Sequence, residues 1–125
     1  MAVDARKAQE LHRRLIAFGA RTIRVAKMLP RNDEGRYISQ QLMRSGLAVA
    51  ANYAEATAAE SRADFIHKLR IVLKELNETQ SWLRQIVANS LFSRDKMVAI
   101  IAESKELCWI IAASIKTARG SSSPI

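Results

Sequence analysis

The sequence predicts an all-α protein, an antiparallel four-helix bundle with up-down-up-down connections. Apolar residues recur every three or four positions through four separate segments, as helices with one buried face require. Short polar breaks join the segments, which makes consecutive helices antiparallel neighbours. The chain has 125 residues, 49% of them hydrophobic, which is enough for one core. We therefore expect a single domain over residues 1–119, followed by a disordered tail at 120–125.

The first helix is predicted from Ala5 to Met28. It should end before Pro30, which disfavours the α conformation at Leu29, and residues 32–35 supply turn chemistry. Gly19 inside the helix costs about 1 kcal/mol relative to Ala, which indicates a close approach by a neighbouring helix. The predicted buried stripe consists of Leu11, Leu15, Phe18, Thr22, Val25 and Leu29.

The second helix is predicted from about Arg36 to Ala58, and its many small residues let another backbone come near. Ser45 and Asn52 are seven positions apart on one edge of the core, where we expect structural hydrogen bonds between helices. Arg44 and Glu55 are expected to form structural ion pairs within or between subunits. The predicted apolar face consists of Ile38, Leu42, Val49, Tyr53 and Ala56.

The third and fourth helices each begin at a capping serine. Ser61 precedes the third helix, and Asp64 lies in its first turn, where a negative charge interacts favourably with the helix dipole. Ser93 precedes the fourth helix, which should end near Arg119 and Gly120. The third helix keeps a seven-residue apolar repeat at Phe65, Leu69, Val72, Leu76, Thr79, Leu83 and Ile86, typical of a long bundle helix. The predicted stripe of the fourth is Met97, Ile101, Ser104, Cys108, Ile111 and Ile115.

The third helix also carries apolar residues away from its core stripe. Ile71 and Trp82 are eleven positions apart, so they share a face, and Glu75 and Glu78 lie between them. An aligned isoleucine and tryptophan on the surface of a small protein favour a subunit interface. We therefore predict a homo-oligomer that uses these four residues. Trp109, with Val98, fits either the edge of the core or an interface.

Basic residues are concentrated at the N-terminal end of a chain whose net charge is +8. Residues 1–31 hold eight basic and two acidic residues, which indicates an anionic partner, RNA or DNA. A solvated face that keeps the protein soluble is the alternative. No aromatic residues interleave with these arginines, so we expect phosphate contacts with little base stacking and weak sequence preference. The predicted nucleic-acid-binding face, one arc of the first helix, consists of Arg6, Arg13, Arg14, Arg21, Arg24 and Lys27.

Catalytic and metal-binding patterns are not apparent in the sequence. The candidate ligands His12, His67 and Cys108 fall on three different helices, without the spacing that fixes two ligands on one face. The acids Glu55, Glu75 and Glu78 lack the Glu-x-x-His pairs of di-metal bundles. We expect a non-enzymatic protein without a metal, cofactor or small-molecule substrate.

The expected compartment is the cytoplasm. A single cysteine precludes an internal disulfide and fits a reducing environment. The charged first turns lack the apolar run of a signal peptide, and the longest uncharged run, residues 107–115, is too short to span a bilayer. We therefore expect no membrane association.

The segment from Gln41 to Leu83 resembles a known bacterial family. The words SGLAVAANYAEA and ESRADFIHKLRIVLKEL look like the signature of the four-helix-bundle proteins first met as products of intervening sequences in large-subunit ribosomal RNA genes. The first motif is matched by Arg44, Ser45, Val49, Ala51, Asn52, Tyr53, Glu55 and Ala56. The second is matched by Ser61, Phe65, Leu69, Glu75, Glu78, Trp82 and Leu83.

The resemblance implies a homopentameric ring with no established enzymatic activity. It also implies kinship with the accessory variability determinants of diversity-generating retroelements, basic pentamers that bind nucleic acid and a reverse transcriptase. An accessory role beside a reverse transcriptase is therefore one expectation. The alternative is an intervening-sequence-type scaffold that binds a protein partner and has no nucleic-acid role, because a shared fold does not decide function.

Overall fold

The computed structural model describes residues 4–120, which form four α-helices and no strands. Each helix packs against the next, and a less extensive contact between the first and the last closes the bundle. The predicted fold class is confirmed. Residues 121–125 of the predicted tail lie outside the described residues. The helices are α1 (Ala5–Met28), α2 (Asp33–Thr57), α3 (Arg62–Ala88) and α4 (Arg94–Ala118).

Side-chain caps fix where the helices begin. Asn32 accepts a hydrogen bond from the backbone N–H of Gly35 at 2.8 Å, so α2 begins at Asp33, three residues before the predicted start. Ser61 and Ser93 cap α3 and α4 as the sequence predicts, and Ser61 accepts from the Asp64 N–H at 3.0 Å. None of the helices within residues 4–120 is long and apolar enough to cross a membrane.

A Schellman motif ends α3 and sets the direction of the connection to α4. The N–H of Leu91 donates to the carbonyl of Ile86 at 2.9 Å, and the N–H of Ser90 donates to that of Val87 at 3.0 Å. Ser90 adopts a left-handed backbone with φ of 58°, a conformation that usually falls to glycine. The connection therefore has a defined path toward Ser93, where α4 is capped.

The core follows the predicted stripes in α2 and α3 and departs from them in the other two helices. In α1, the predicted Leu11 and Val25 are only half-buried, and Ala26 is buried. All seven heptad positions of α3 are buried. In α4, Ile100 and Leu107 are buried, whereas the predicted Ile101 and Cys108 are only half-buried. The physical reason is that α4 is apolar at all four positions, so its periodicity left the centre of the buried face undetermined. Cys108 instead lies at the edge facing α3, with Sγ 3.4 Å from the Asn77 side-chain oxygen.

Helices α1 and α2 approach each other closely through two glycines. A Cβ atom on Gly19 would lie 3.2 Å from the carbonyl oxygen of Gly46, and one on Gly46 would lie 2.3 Å from the Thr22 hydroxyl oxygen. Thr22 is buried and donates its hydroxyl proton to the Gly19 carbonyl at 2.7 Å. The approach expected at Gly19 is therefore confirmed, and α2 is the helix that makes it.

Candidate nucleic-acid interface

One arginine of the predicted basic face joins α1 to α4. Arg14 donates two hydrogen bonds to Glu103, from Nε at 2.8 Å and from Nη2 at 2.9 Å. Its Nη2 also donates to Glu106 at 2.7 Å. The hydrogen bonds that Arg14 donates hold the pKa of the Glu103 carboxyl below its usual value, and the same bonds raise the pKa of Arg14. Arg14 is thus committed to a contact within the subunit, whereas the sequence places it among free basic residues.

Beyond this ion pair, the contact between α1 and α4 opens into a groove of about 260 Å³, here called the basic groove. Its charged residues are Arg21 and Arg24 from α1 and Lys96 from the first turn of α4, and no carboxylate of residues 4–120 lines it. The apolar part of its lining is formed by Val25, Met28, Phe92, Met97 and Ile100. The groove therefore combines three cations with an apolar floor.

The remaining basic residues of α1 lie outside the groove. Arg6 and Lys27 are exposed to solvent, and exposed Arg13 pairs with Glu10 at 3.0 Å, one turn away on the same helix. An exposed pair of this kind contributes little stability, so Arg13 can exchange Glu10 for another anion at small cost. The predicted arc therefore has three parts. Arg6, Arg13 and Lys27 face solvent outside the groove, Arg21 and Arg24 line the groove, and Arg14 is paired with α4.

Lys96 and Phe92 escaped the sequence analysis because they are distant in sequence from α1. Antiparallel packing brings the start of α4 beside the end of α1. The signal that could have found them is the set of three short connections, which places the residues around 92–96 next to those around 21–28. No aromatic residue interleaves with these arginines in the sequence, but the fold places one ring, Phe92 of the α3–α4 connection, beside them.

The predicted oligomer residues of α3 are largely engaged within the subunit. Arg44 of α2 donates to both Glu75, at 3.4 Å, and Glu78. The bond from Arg44 lowers the pKa of Glu78. Trp82 is half-buried, donates its indole N–H to Glu78 at 3.3 Å and packs edge-to-face on Tyr37 of α2. Ile71 is also half-buried, so this face is less outward than the spacing predicts, and its role in an oligomer stays a prediction.

The other polar residues of the motif have local partners. The Ser45 hydroxyl lies 2.8 Å from that of Thr79 in a buried hydrogen bond between α2 and α3. Asn52 donates instead to the Ala48 carbonyl of its own helix at 2.8 Å, so it does not bridge helices through this bond. Glu55 accepts from Lys68 of α3 at 2.7 Å. These contacts give the motif a role in joining α2 to α3.

The candidate ligands of the sequence remain separate. His12 packs against the buried ring of Tyr53, with centroids 5.9 Å apart. Cys108 is half-buried, and this burial raises the pKa of its thiol. Among residues 4–120, no three histidine, cysteine or acidic side chains cluster as metal ligands would.

The outward faces of α2 and α4 carry exposed apolar side chains. Trp109 is 72% exposed and Val98 58%, and they are eleven positions apart on one side of α4 with Ala102 between them. Leu47 is 56% exposed on α2, followed on the same side by exposed Ala51. Trp109 is therefore not at the edge of the core, which removes one of its two sequence interpretations.

Comparisons with known proteins place this geometry in a family. One similar solved structure is the 1.70 Å crystal structure of a protein of unknown function from the S23 ribosomal protein family of Bacteroides thetaiotaomicron. It is 35% identical with a TM-score of 0.79, and the match covers 85% of this chain and 98% of that one. No curated protein matches the chain. The profile described as 23S rRNA-intervening sequence protein matches residues 7–113, and the chain therefore belongs to the 23S rRNA-intervening sequence protein family.

Proposed function

We propose that this protein is a non-enzymatic homo-oligomer that binds RNA or DNA through its basic groove and the outward face of α1. The observation that carries the proposal is the meeting of Arg21, Arg24 and Lys96 in one groove, which no carboxylate from the described part of the chain lines. Among residues 4–120, none of these three cations forms an ion pair, so they are available to phosphates, whereas Arg14 is paired with two glutamates. The exposed Arg6 and Lys27 extend the same positive surface along α1.

Phosphate contacts of this kind have a thermodynamic signature. Each phosphate that a lysine or arginine neutralises releases condensed counterions, so affinity falls steeply as salt rises. Fluorescence anisotropy with a labelled RNA or DNA oligonucleotide, at several salt concentrations, measures that slope. The variant Arg21→Gln/Arg24→Gln/Lys96→Gln should lose most of the affinity and give a shallower slope.

A matched control removes the same charge elsewhere. Arg70, Lys74 and Arg84 are exposed on α3, and the triple glutamine variant at these positions has the same net charge as the groove variant. It should bind with nearly wild-type affinity. Equal losses of affinity in the two variants would show that binding depends on the net charge of the protein and not on the groove. Absence of wild-type binding at low salt would refute the nucleic-acid function.

The oligomeric part of the proposal is supported by the two outward apolar faces. Helices α2 and α4 occupy opposite corners, since within residues 4–120 each packs on α1 and α3 but not on the other. A closed ring requires two different faces on each subunit, which meet head to tail. Trp109 projects from one face, and the small side chains beside Leu47 on the other leave room for it. The family resemblance implies five subunits, and each would add another copy of the basic surface.

Light scattering of two single variants tests this arrangement. Leu47→Glu and Trp109→Glu should each disrupt the assembly, because each places a charge in one of the two faces. Mixed in equal amounts, they should form a heterodimer, since one intact face of each kind remains. A wild-type protein that stays a single species of 14.0 kDa would exclude the oligomer.

A narrower form of the proposal makes the protein an accessory factor to a reverse transcriptase of a diversity-generating retroelement. Its support is the resemblance of the segment from Gln41 to Leu83 alone. Co-purification with the reverse transcriptase encoded beside the gene tests it directly. If no such gene is adjacent, the narrower form fails while the nucleic-acid function remains open to the binding assay.

A scaffold that binds a protein partner is the second candidate, and the 72% exposure of Trp109 favours it. The two candidates differ in how they respond to substitution. Trp109→Glu should abolish partner binding and leave nucleic-acid binding by an isolated subunit intact. The groove variant should have the opposite effect.

A further inference from the structure

The basic groove exposes an aromatic ring face beside two arginines. Phe92 forms part of the groove wall together with Arg21 and Arg24. The ammonium nitrogen of Lys96 lies 4.2 Å from the centroid of the Phe92 ring. Lys96 is exposed and lines the groove together with Phe92, so the ring face under its ammonium group borders the groove. A planar group that displaces the ammonium would meet an accessible aromatic surface.

The size and lining of the groove limit what can enter it. Its volume of about 260 Å³ is below the roughly 300–1,000 Å³ of pockets for drug-sized ligands. A single small ring system fits such a volume better than a large ligand. Met97 and Ile100 are buried and give the groove an apolar floor, while two of its cations, Arg24 and Lys96, are exposed to solvent. The matching ligand has a flat, largely apolar group joined to an anion.

We infer that the groove accepts one base of a single-stranded nucleic acid, which stacks on Phe92 while Arg21, Arg24 and Lys96 bind the adjoining phosphates. This inference rests on the proposed function and adds strand selectivity to it. Bases in a duplex are paired and stacked, so they cannot enter, whereas bases of a single strand can splay out onto an aromatic ring. Every base has a π face, so the preference is for strand form and not for sequence.

The first test uses the wild-type protein alone, in fluorescence anisotropy at low salt. The probes are a labelled single strand, the duplex of the same sequence, and a strand of equal length without bases. Stacking of one base contributes about 1–3 kcal/mol, so the single strand should bind roughly tenfold more tightly than the abasic strand. The duplex should behave like the abasic strand.

The second test changes the ring and keeps the charges. Phe92→Leu should lower affinity for the base-bearing strand by about tenfold and leave the abasic strand unchanged, while Phe92→Tyr should restore wild-type binding. Tyr37→Leu removes an exposed aromatic ring on α2 outside the groove and should have no effect. Circular dichroism during heating verifies that each variant is folded.

The outcomes separate this inference from the function on which it rests. If the three probes bind equally well, or if Phe92→Leu binds like the wild type, base insertion is refuted while phosphate binding stands. If none of the probes binds at low salt, the proposed function fails, and the inference fails with it.

Discussion

Helix α1 contacts its two neighbours in different ways. Against α2, the facing residues are Gly19 and Gly46, and the buried Thr22 leaves no space for an added methyl group. Against α4, the contact is less extensive and depends on the ion pairs of Arg14, beyond which the basic groove opens. The side of α1 that faces α2 is therefore closely packed along the two glycines. The side that faces α4 is held by the ion pairs of Arg14 and leaves the basic groove open beyond them.

The difference shows how a small bundle can keep a binding surface without losing its shape. The position of α1 is fixed by α2, where close packing tolerates little displacement. The opposite side of α1 is then free to present arginines and an unfilled groove. Substitutions that affect the two sides unequally test this division.

The largest effect is expected from Gly46→Ala. The new Cβ would lie 2.3 Å from the Thr22 hydroxyl oxygen and 3.1 Å from its Cβ, so the helices must separate. We expect a loss of about 2–3 kcal/mol in the free energy of unfolding, typical of overpacking. Urea unfolding measures it.

Thr22→Ala provides the control for that change. It removes the hydroxyl that the new methyl group meets, so the double variant should recover more than half of the loss seen in Gly46→Ala. Simple addition of the two single effects would mean that the residues do not interact.

A smaller effect is expected from Glu103→Gln, which weakens the ion pair with Arg14. Solvent reaches both partners in part, so we expect a loss of about 1 kcal/mol at neutral pH. Because the folded-state pKa of Glu103 is lowered, its contribution is present above the pKa of an unfolded glutamate. It is lost as the pH falls through the folded-state value.

Urea unfolding of both proteins at pH 7 and at pH 3 measures this dependence. The difference between wild type and Glu103→Gln should shrink at the lower pH. Glu106→Gln, at the more exposed partner of Arg14, serves as the matched control and should lose less. A pH-independent difference would assign the loss to packing.

The smallest effect is expected from Met28→Ala at the rim of the basic groove. Met28 is 55% exposed, so the free energy of unfolding should change by about 0.5 kcal/mol or less. Thermal unfolding followed by circular dichroism measures it. A loss as large as that of Gly46→Ala would show that α1 depends on its open side as much as on its closed one.

The sequence predicted the bundle because helix periods, caps and breaks are local properties. The heptad of α3 gave every buried position correctly, since its polar residues are well separated from its apolar ones. The predicted stripe of α4 was displaced at Ile101 and Cys108, because apolar side chains cover more than one face of that helix. There the contacts with α1 and α3 decide the orientation, which no single helix encodes.

The candidate site was less accessible to sequence reasoning because it is assembled from separate helices. Arg14 and Arg21 lie on the same arc of α1, so the sequence groups them together. Only the positions of the carboxylates on α4 show that Arg14 is paired whereas Arg21 lines the groove. Phe92 acquires its place beside the arginines through the tertiary fold. Such contacts appear only when the neighbours of α1 are known.

The Schellman motif at the end of α3 has a consequence for the thermodynamics of binding. Ser90 holds a left-handed conformation, and the hydrogen bonds to Ile86 and Val87 fix the chain two residues before Phe92. The Phe92 ring is therefore attached to a connection that is already ordered. A ligand that contacts the ring does not have to order the backbone of that connection. The conformational entropy of the groove is lost when the chain folds, before any partner arrives.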